Sequence, residues 1–341
     1  MKAIALKRYL DPALPESLFD VELPAPVPGE HDVLVQVQAA GINPLDNRVR
    51  RPKDKVEPQP RVLGWDAAGV VISVGAAVTK FRAGDRIFYA GEIGRQGSFA
   101  EYQLVDEFLA ARMPGSLSFA EAAALPLTAL TAWSALFTRM KVGRSAEANA
   151  GRTLLVIGAA GGVGSMAVQL AARAAGLHVI GTASRPESVA WVRAMGASHV
   201  VDHRGDVAAQ LRAAGYHYVD YVLILADTDT WYPVAAEMVA PEGTIGTVVE
   251  ATRPIDWSAL WDKSATLVWE MVFTRNEYTP ERGHQIGDML ADLARLVDAG
   301  IIETTLTEHI PMLNAATLHA ALARQASGRS IGKTVLSGFQ A

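Results

Sequence analysis

The chain has 341 residues, half of them apolar and a fifth charged, with a formal net charge of −5, eight histidines and no cysteine. That length exceeds what one hydrophobic core usually organises, so two domains are expected. The acidic balance argues against a nucleic-acid scaffold, and the missing thiols exclude disulfides, a thiolate nucleophile and any cysteine–zinc site. No apolar run reaches the ~18 residues of a membrane span, and the start, Met1-Lys-Ala-Ile-Ala-Leu-Lys-Arg8, is too briefly apolar for a signal peptide. A cytoplasmic protein with no membrane or nucleic-acid partner is the expectation.

In chain order, the first 110 residues read as β-rich. Asp32–Gln38, Ala68–Gly75, Gly84–Tyr89 and Gly97–Tyr102 look like short strands with turn signals between them, a spacing that suggests a small barrel. Arg48–Arg61, with four arginines, two lysines and three prolines, reads as a solvated loop or a mobile lid. From Ser118 the pattern becomes helical, through Ala122 to Phe137. Strands are then expected at 153–158, 177–182, 198–202, 219–225, 243–250 and 266–273, and helices at 162–175, 186–195, 206–214 and 230–239. Six apolar strands separated by helices describe a doubly wound parallel sheet. After Thr279 come a helix from Arg282 to Val297, a strand at Thr304–His309, a helix at Asn314–Ala326 and a strand at Lys333–Leu336, a tail without a sheet of its own. The division expected is 1–125, 126–274, and a return of 275–341 to the first domain.

Thr153-Leu-Leu-Val-Ile-Gly158-Ala-Ala-Gly161-Gly162-Val-Gly164 is the most informative stretch. It reads as a buried strand, a turn of tiny residues, and a helix opening at Val163. In a dinucleotide fold the three small slots serve a tight turn, close approach to a pyrophosphate, and helix–strand packing. They fall here on Ala159, Gly161 and Gly164, so an alanine replaces the first glycine. Ala160, Gly161, Gly162, Val163 and Gly164 are therefore the candidate phosphate cradle at a helix N-terminus.

The next strand would carry an acid for the ribose 2′-hydroxyl in an NAD site. In Leu177-His-Val-Ile-Gly-Thr182-Ala183-Ser184-Arg185 that place is held by Ala183, followed by a hydroxyl and a guanidinium. Ser184 and Arg185 suit a 2′-phosphate, which favours NADPH. The alternative is that Arg185 is only a surface charge at the helix entry before Pro186.

The whole chain resembles the medium-chain dehydrogenase/reductase superfamily, and within it the zinc-free quinone oxidoreductase group and its zinc-type alcohol-dehydrogenase-like subgroup. The residues that carry the resemblance are Ala39-Ala-Gly-Ile-Asn43-Pro-Leu-Asp46, Gly64-Trp65-Asp66-Ala-Ala-Gly69, Pro126-Leu-Thr-Ala-Leu-Thr131-Ala-Trp133, Ala160-Gly-Gly-Val-Gly164, Trp269-Glu-Met-Val-Phe273-Thr274-Arg275 and Gly332-Lys-Thr-Val-Leu336. The resemblance implies a Rossmann domain, a β-rich GroES-like domain and a homodimer joined through the region of the sixth strand. It also places Asn43 where zinc alcohol dehydrogenases have a metal-binding cysteine, Trp65-Asp66 at their His-Glu pair, and Leu127 at a later cysteine. Asp66 alone cannot hold zinc, which wants about three protein ligands, so no metal is expected.

What the resemblance implies for the site follows residue by residue. Asn43 would sit beside nicotinamide ribose and substrate, with Asp46 orienting it or a ribose hydroxyl. Equally, Asn43-Pro44 would begin a turn that Asp46 caps. Thr131 would contact the carboxamide or merely bond back to its own helix. His203 falls where an aromatic side chain covers adenine in quinone reductases. Asp227 and Val248–Val249 end strands at the ligand-binding edge of the sheet. Phe273 and Thr274 would wall the nicotinamide or pack the core, Trp65 would fill the vacated metal volume or pack the barrel, and Lys333 is grouped with the coenzyme contacts. The chemistry implied is NADPH-dependent hydride transfer to a small-molecule quinone or enone. An alcohol or aldehyde reductase and a nucleotide-binding sensor without turnover stay open as alternatives.

Overall fold

The computed structural model describes residues 1–279 and 284–339. It divides into two compact units, Met1–Leu127 with Phe273–Ala341, and Thr128–Val272. Among the described residues no helix is long and apolar enough to cross a membrane.

The first unit opens with β1 (Lys2–Tyr9), β2 (Phe19–Glu22), β3 (Asp32–Gly41), α1 (Pro44–Val49), β4 (Lys53–Val62), β5 (Asp66–Val74), β6 (Arg86–Ala90), β7 (Tyr102–Asp106), β8 (Ala110–Arg112) and α2 (Phe119–Ala123). β3 is its hub. Its alternate residues Val33, Val35 and Val37 are buried, and it pairs antiparallel with β5 on one edge and β7 on the other. The basic stretch 48–61 is not a loop: from Lys53 onward it is β4, hydrogen-bonded to β1 through an irregular register. β4 is the outer strand of the β2-β1-β4 sheet, so its free edge tolerates Pro58, Pro60 and exposed charges that a central strand would refuse. Gly97–Tyr102 departs from expectation too. It is a bend touching β1 at the single bridge Ala3–Ala100, and the strand begins at Tyr102.

The helix expected from Ala122 to Phe137 is broken, because Pro126 has no N–H to continue it. α2 ends at Ala123, and α3 (Pro126–Trp133) starts afresh and loosens into a π-helical turn at Ser134–Arg139. The second unit then alternates β9 (Thr153–Ile157), α4 (Gly162–Gln169), β10 (His178–Thr182), α5 (Pro186–Ala194), β11 (His199–Val201), α6 (Val207–Ala213), β12 (Val219–Ile224), α7 (Thr228–Met238), β13 (Val239–Thr247), α8 (Ser258–Trp261) and β14 (Thr266–Trp269). The six strands form one sheet in the order β11-β10-β9-β12-β13-β14 with every pair parallel. This is the doubly wound dinucleotide-binding order. Leu155, Ile157, Ile180, Val222, Ile224 and Ile245 fill its core.

β14 stops four residues short of the expected end. β13 itself ends at Thr247, and once the Glu270 N–H has bonded to the Thr247 carbonyl no further ladder partner stands opposite. Phe273 and Thr274 therefore do not close a strand: Phe273 caps α9 (Thr274–Tyr278), in the first unit. The chain continues there with α10 (His284–Asp298), β15 (Leu306–Ile310), α11 (Ala315–Ala326) and β16 (Lys333–Ser337). The expected start of α10 at Arg282 lies outside the described residues. β16 lies parallel to β15 and antiparallel to β3, giving a seven-stranded sheet ordered β15-β16-β3-β5-β6-β8, with β7 also on β3.

Candidate functional site

In the first unit, the junction of β3 and α1 holds a buried cluster of charge. Asn43, Asp46, Asp66 and Lys333 are 1%, 0%, 0% and 4% exposed. The Lys333 ammonium donates to the Ile42 carbonyl at 2.6 Å, to Asn43 Oδ1 at 2.6 Å and to Asp66 Oδ2 at 2.7 Å. Those three bonds use all three of its protons. Asn43 Nδ2 donates to the same Asp66 oxygen at 2.8 Å, and the other, Oδ1, accepts the Leu127 backbone N–H at 2.6 Å. An amide nitrogen carries two protons, and the second proton of Asn43 Nδ2 has no partner among the described residues.

Asp46, one turn into α1, accepts the Asn43 backbone N–H on Oδ2 at 2.6 Å. This is the capping contact: Asn43-Pro44 begins a turn that Asp46 caps. Its other oxygen has no partner. Burial pushes the Asp46 carboxyl up to about 7, against the opposing pull of the Asn43 N–H and of the Lys333 charge. Burial likewise lowers the Arg50 guanidinium, while the nearby Asp46 raises it.

These residues do not fit a zinc ion. Asn43, Trp65 and Leu127 offer an amide, an indole and an alkyl group in place of thiolates and imidazole. The one carboxylate, Asp66, is already committed to an ammonium, an amide and a backbone N–H. The Trp65 indole is buried and donates to the Glu92 carbonyl at 3.2 Å. Among the described residues no group of three or more histidine and carboxylate side chains could hold a metal.

In the second unit the glycine turn follows β9. Gly158 has φ +84°, a turn that glycine makes without strain, and its N–H donates to Thr182 Oγ1 at 3.0 Å. Gly161 caps α4 in an extended conformation. A Cβ on Gly164 would lie 2.3 Å from the Gly158 carbonyl oxygen, so helix and turn touch there with no room for a side chain. A Cβ on Gly161 would meet nothing nearer than 3.6 Å. Packing therefore explains Gly164 and leaves Gly161 unexplained. Gly162, Val163 and Gly164 open the helix and present first-turn N–H groups suited to an anion. A dinucleotide phosphate fits this cradle.

The remaining candidates take these places. Ser184 and Arg185 follow β10, where Arg185 is the N-cap of α5 and its guanidinium lies 3.3 Å from Glu187, so part of its charge is spent locally. His203 is exposed just past β11. Asp227 caps α7, accepting the Asp229 N–H at 3.1 Å and the Thr230 hydroxyl at 2.5 Å. Its role visible here is structural. Val248 follows β13 with its N–H on the Ile224 carbonyl. Thr131 is buried in α3, and Phe273 is buried in the first unit. Lys333, expected among the coenzyme contacts, donates its three protons to Ile42, Asn43 and Asp66 inside the first unit. The sequence reading missed Asp66 as a partner of Asn43, because only the pairing of β3 with β5 and β16 brings them together.

Two family models match the chain, the alcohol dehydrogenase GroES-like domain over residues 29–115 and the zinc-binding dehydrogenase over residues 162–282. A zinc-type alcohol dehydrogenase-like protein of Staphylococcus epidermidis is 37% identical over 338 residues, 99% of each chain. The quinone oxidoreductase of Mus musculus is 35% identical over 244 residues, 71% of this chain and 67% of its own. A crystal structure of a candidate zinc-dependent alcohol dehydrogenase from Rhizobium etli CFN 42 superposes with a TM-score of 0.94 at 41% identity, covering 100% of this chain and 99% of that one. The chain belongs to the medium-chain dehydrogenase/reductase superfamily of oxidoreductases, with quinone oxidoreductase-like members among its relatives.

Proposed function

We propose that the chain is an NADPH-dependent, metal-independent reductase of quinones or α,β-unsaturated carbonyl compounds. The observation that carries this reading is the Lys333–Asp66 pair, which commits the carboxylate at the position of the zinc enzymes' His-Glu pair, beside an Asn43 amide that keeps one proton unspent. An alkoxide forming on an unactivated alcohol beside Asn43 would find the Lys333 ammonium already spent. An enolate spreads its charge, and one fixed N–H aimed at its oxygen is the kind of donor that lowers such a barrier.

Bound NADPH would supply the hydride. The N–H groups of Gly162, Val163 and Gly164 would take its diphosphate, with Ala160 and Gly161 clearing the approach. Ser184 would bond the 2′-phosphate, and Arg185 would share its guanidinium between that phosphate and Glu187. His203 and Val248 would border the adenosine, and Thr131, Phe273 and Thr274 the nicotinamide. Asn43 would hydrogen-bond the acceptor oxygen through its remaining N–H, and solvent would supply the proton, to carbon for an enolate and to oxygen for a reduced quinone. We place the enzyme in the cytoplasm. As a homodimer it would pair through β14, the outer strand of its sheet, where Trp269 is exposed, with Trp261 of α8 and Met271 exposed before and after it in the chain.

The test is an acceptor panel on metal-analysed protein: 9,10-phenanthrenequinone and a simple enone against secondary alcohols, ketones and aldehydes, each with NADPH and NADH. Quinone or enone turnover with NADPH and no stoichiometric zinc is expected. Turnover confined to simple alcohols or carbonyls would make it a carbonyl reductase instead. Coenzyme binding without oxidation by any acceptor would make it a sensor. Light scattering that reports a monomer would remove the dimer.

A further inference from the structure

We infer that Lys333 is a positioning residue: it fixes which way the Asn43 amide faces and strengthens the one proton that amide keeps for a ligand. The inference rests on the proposed function, since it concerns the donor that would meet the acceptor oxygen.

The two ends of an asparagine side chain are close to the same size, so in water the amide turns over freely. Here it cannot. Oδ1 stands 2.6 Å from the Lys333 ammonium and Nδ2 stands 2.8 Å from the Asp66 carboxylate. Turning the amide over would set an NH2 group against a cation and an oxygen against an anion, exchanging two charge-assisted hydrogen bonds for two repulsions. With Asn43 and Lys333 1% and 4% exposed, water cannot restore the balance.

The backbone is held as firmly. Lys333 also grips the Ile42 carbonyl, and Asp46 takes the Asn43 N–H. The direction of the unspent Asn43 proton is therefore set by protein atoms alone, which is what preorganisation requires. A cation on the amide oxygen also draws electron density from nitrogen, so the unspent N–H becomes a stronger donor. The other buried cation of the neighbourhood, Arg50, bonds Asn47 and Ser17 instead. Among the described residues Lys333 is thus the cation that bonds Asn43, from a position 290 residues along the chain.

A double-mutant cycle tests this: Lys333→Met, Asn43→Ala and both together, read by single-turnover NADPH oxidation with the acceptor found above. Lys333→Met is expected to slow hydride transfer about 10- to 100-fold, with the acceptor KM and the NADPH Kd within about threefold. In the double variant the loss should match that of Asn43→Ala alone. Losses that multiply, a rate within about twofold of wild type, or a rise in KM at constant kcat would each overturn the inference. Should Lys333→Met fail to fold, Lys333→Gln, which keeps a neutral donor for Oδ1, takes its place in the same cycle. A second readout needs no turnover: hydrogen–deuterium exchange of the Asn43 side-chain protons should be at least about tenfold faster in the Lys333 variant. Faster exchange in a protein that reduces no acceptor would discard the proposed function and keep Lys333 as the clamp on Asn43. Unchanged exchange would overturn the clamp whatever the activity.

Discussion

The junction around Asn43 and the turn around Gly161 are built on opposite plans. The first is dense with side-chain chemistry: an ammonium, two carboxylates and an amide, all buried and locked to one another. The second has almost no side chains, and offers backbone N–H groups and empty space where a Cβ could have been. A charged cluster gains specificity from mutual dependence, so it fails when any member is removed. A backbone cradle depends on what is absent, so it fails when an atom is added.

The sharpest way to break the comparison is Asp66→Ala. It removes a buried anion that faces Lys333, Asn43 and the Leu127 N–H, and leaving a cation uncompensated costs roughly 3–5 kcal/mol. Urea unfolding should show that loss. Asp46→Asn comes next. The folded-state value of about 7 stands roughly 3 units above that of an unfolded aspartate, worth roughly 4 kcal/mol. Because the folded protein keeps this proton where the unfolded chain releases it, stability falls as pH rises from about 4 to about 7, and the penalty is complete above 7. Asp46→Asn should remove that slope from melting curves recorded across the window, and an unchanged slope would assign it elsewhere.

Gly164→Ala tests the added-atom half. With a Cβ only 2.3 Å from a backbone oxygen, a loss near the roughly 3 kcal/mol upper end of overpacking is expected in thermal unfolding. Gly161→Ala should leave the melting temperature almost unmoved, since its Cβ meets nothing within 3.6 Å, yet weaken NADPH binding by about 10- to 100-fold in fluorescence titration. Equal effects of the two alanines would end the distinction drawn between these glycines. The smallest effect is Arg185→Ala, expected to lower the preference for NADPH over NADH by about tenfold, because its guanidinium is already shared with Glu187.

The same contrast explains what could be read from the sequence. The turn at 158–164 is a local code: strand, tiny residues and helix lie within a dozen positions, so its place is legible without any tertiary knowledge. The sheet of the second unit was equally legible, because its central strands β9, β10 and β12 are buried and read as apolar runs. The strand Lys53–Val62 was not, since an edge strand needs neither alternation nor freedom from proline. Nor was the true environment of Lys333. Its partners lie 290 and 267 residues away, and no spacing rule connects residues that only a shared sheet brings together. The orphaned oxygen of Asp46 and the π-helical loosening after α3 belong to the same class, as both are set by packing rather than by propensity.

β16 has a consequence for biosynthesis. During translation the ribosome emits β3, α1 and β5 long before the strand that carries Lys333. Until that last strand docks, the nascent first unit holds Asp66 without its counter-cation, and water must stand in for the ammonium. The donor is thus assembled only once β16 has been made and docked, and a polypeptide cut before Lys333 would be electrostatically unfinished however well its earlier strands had paired.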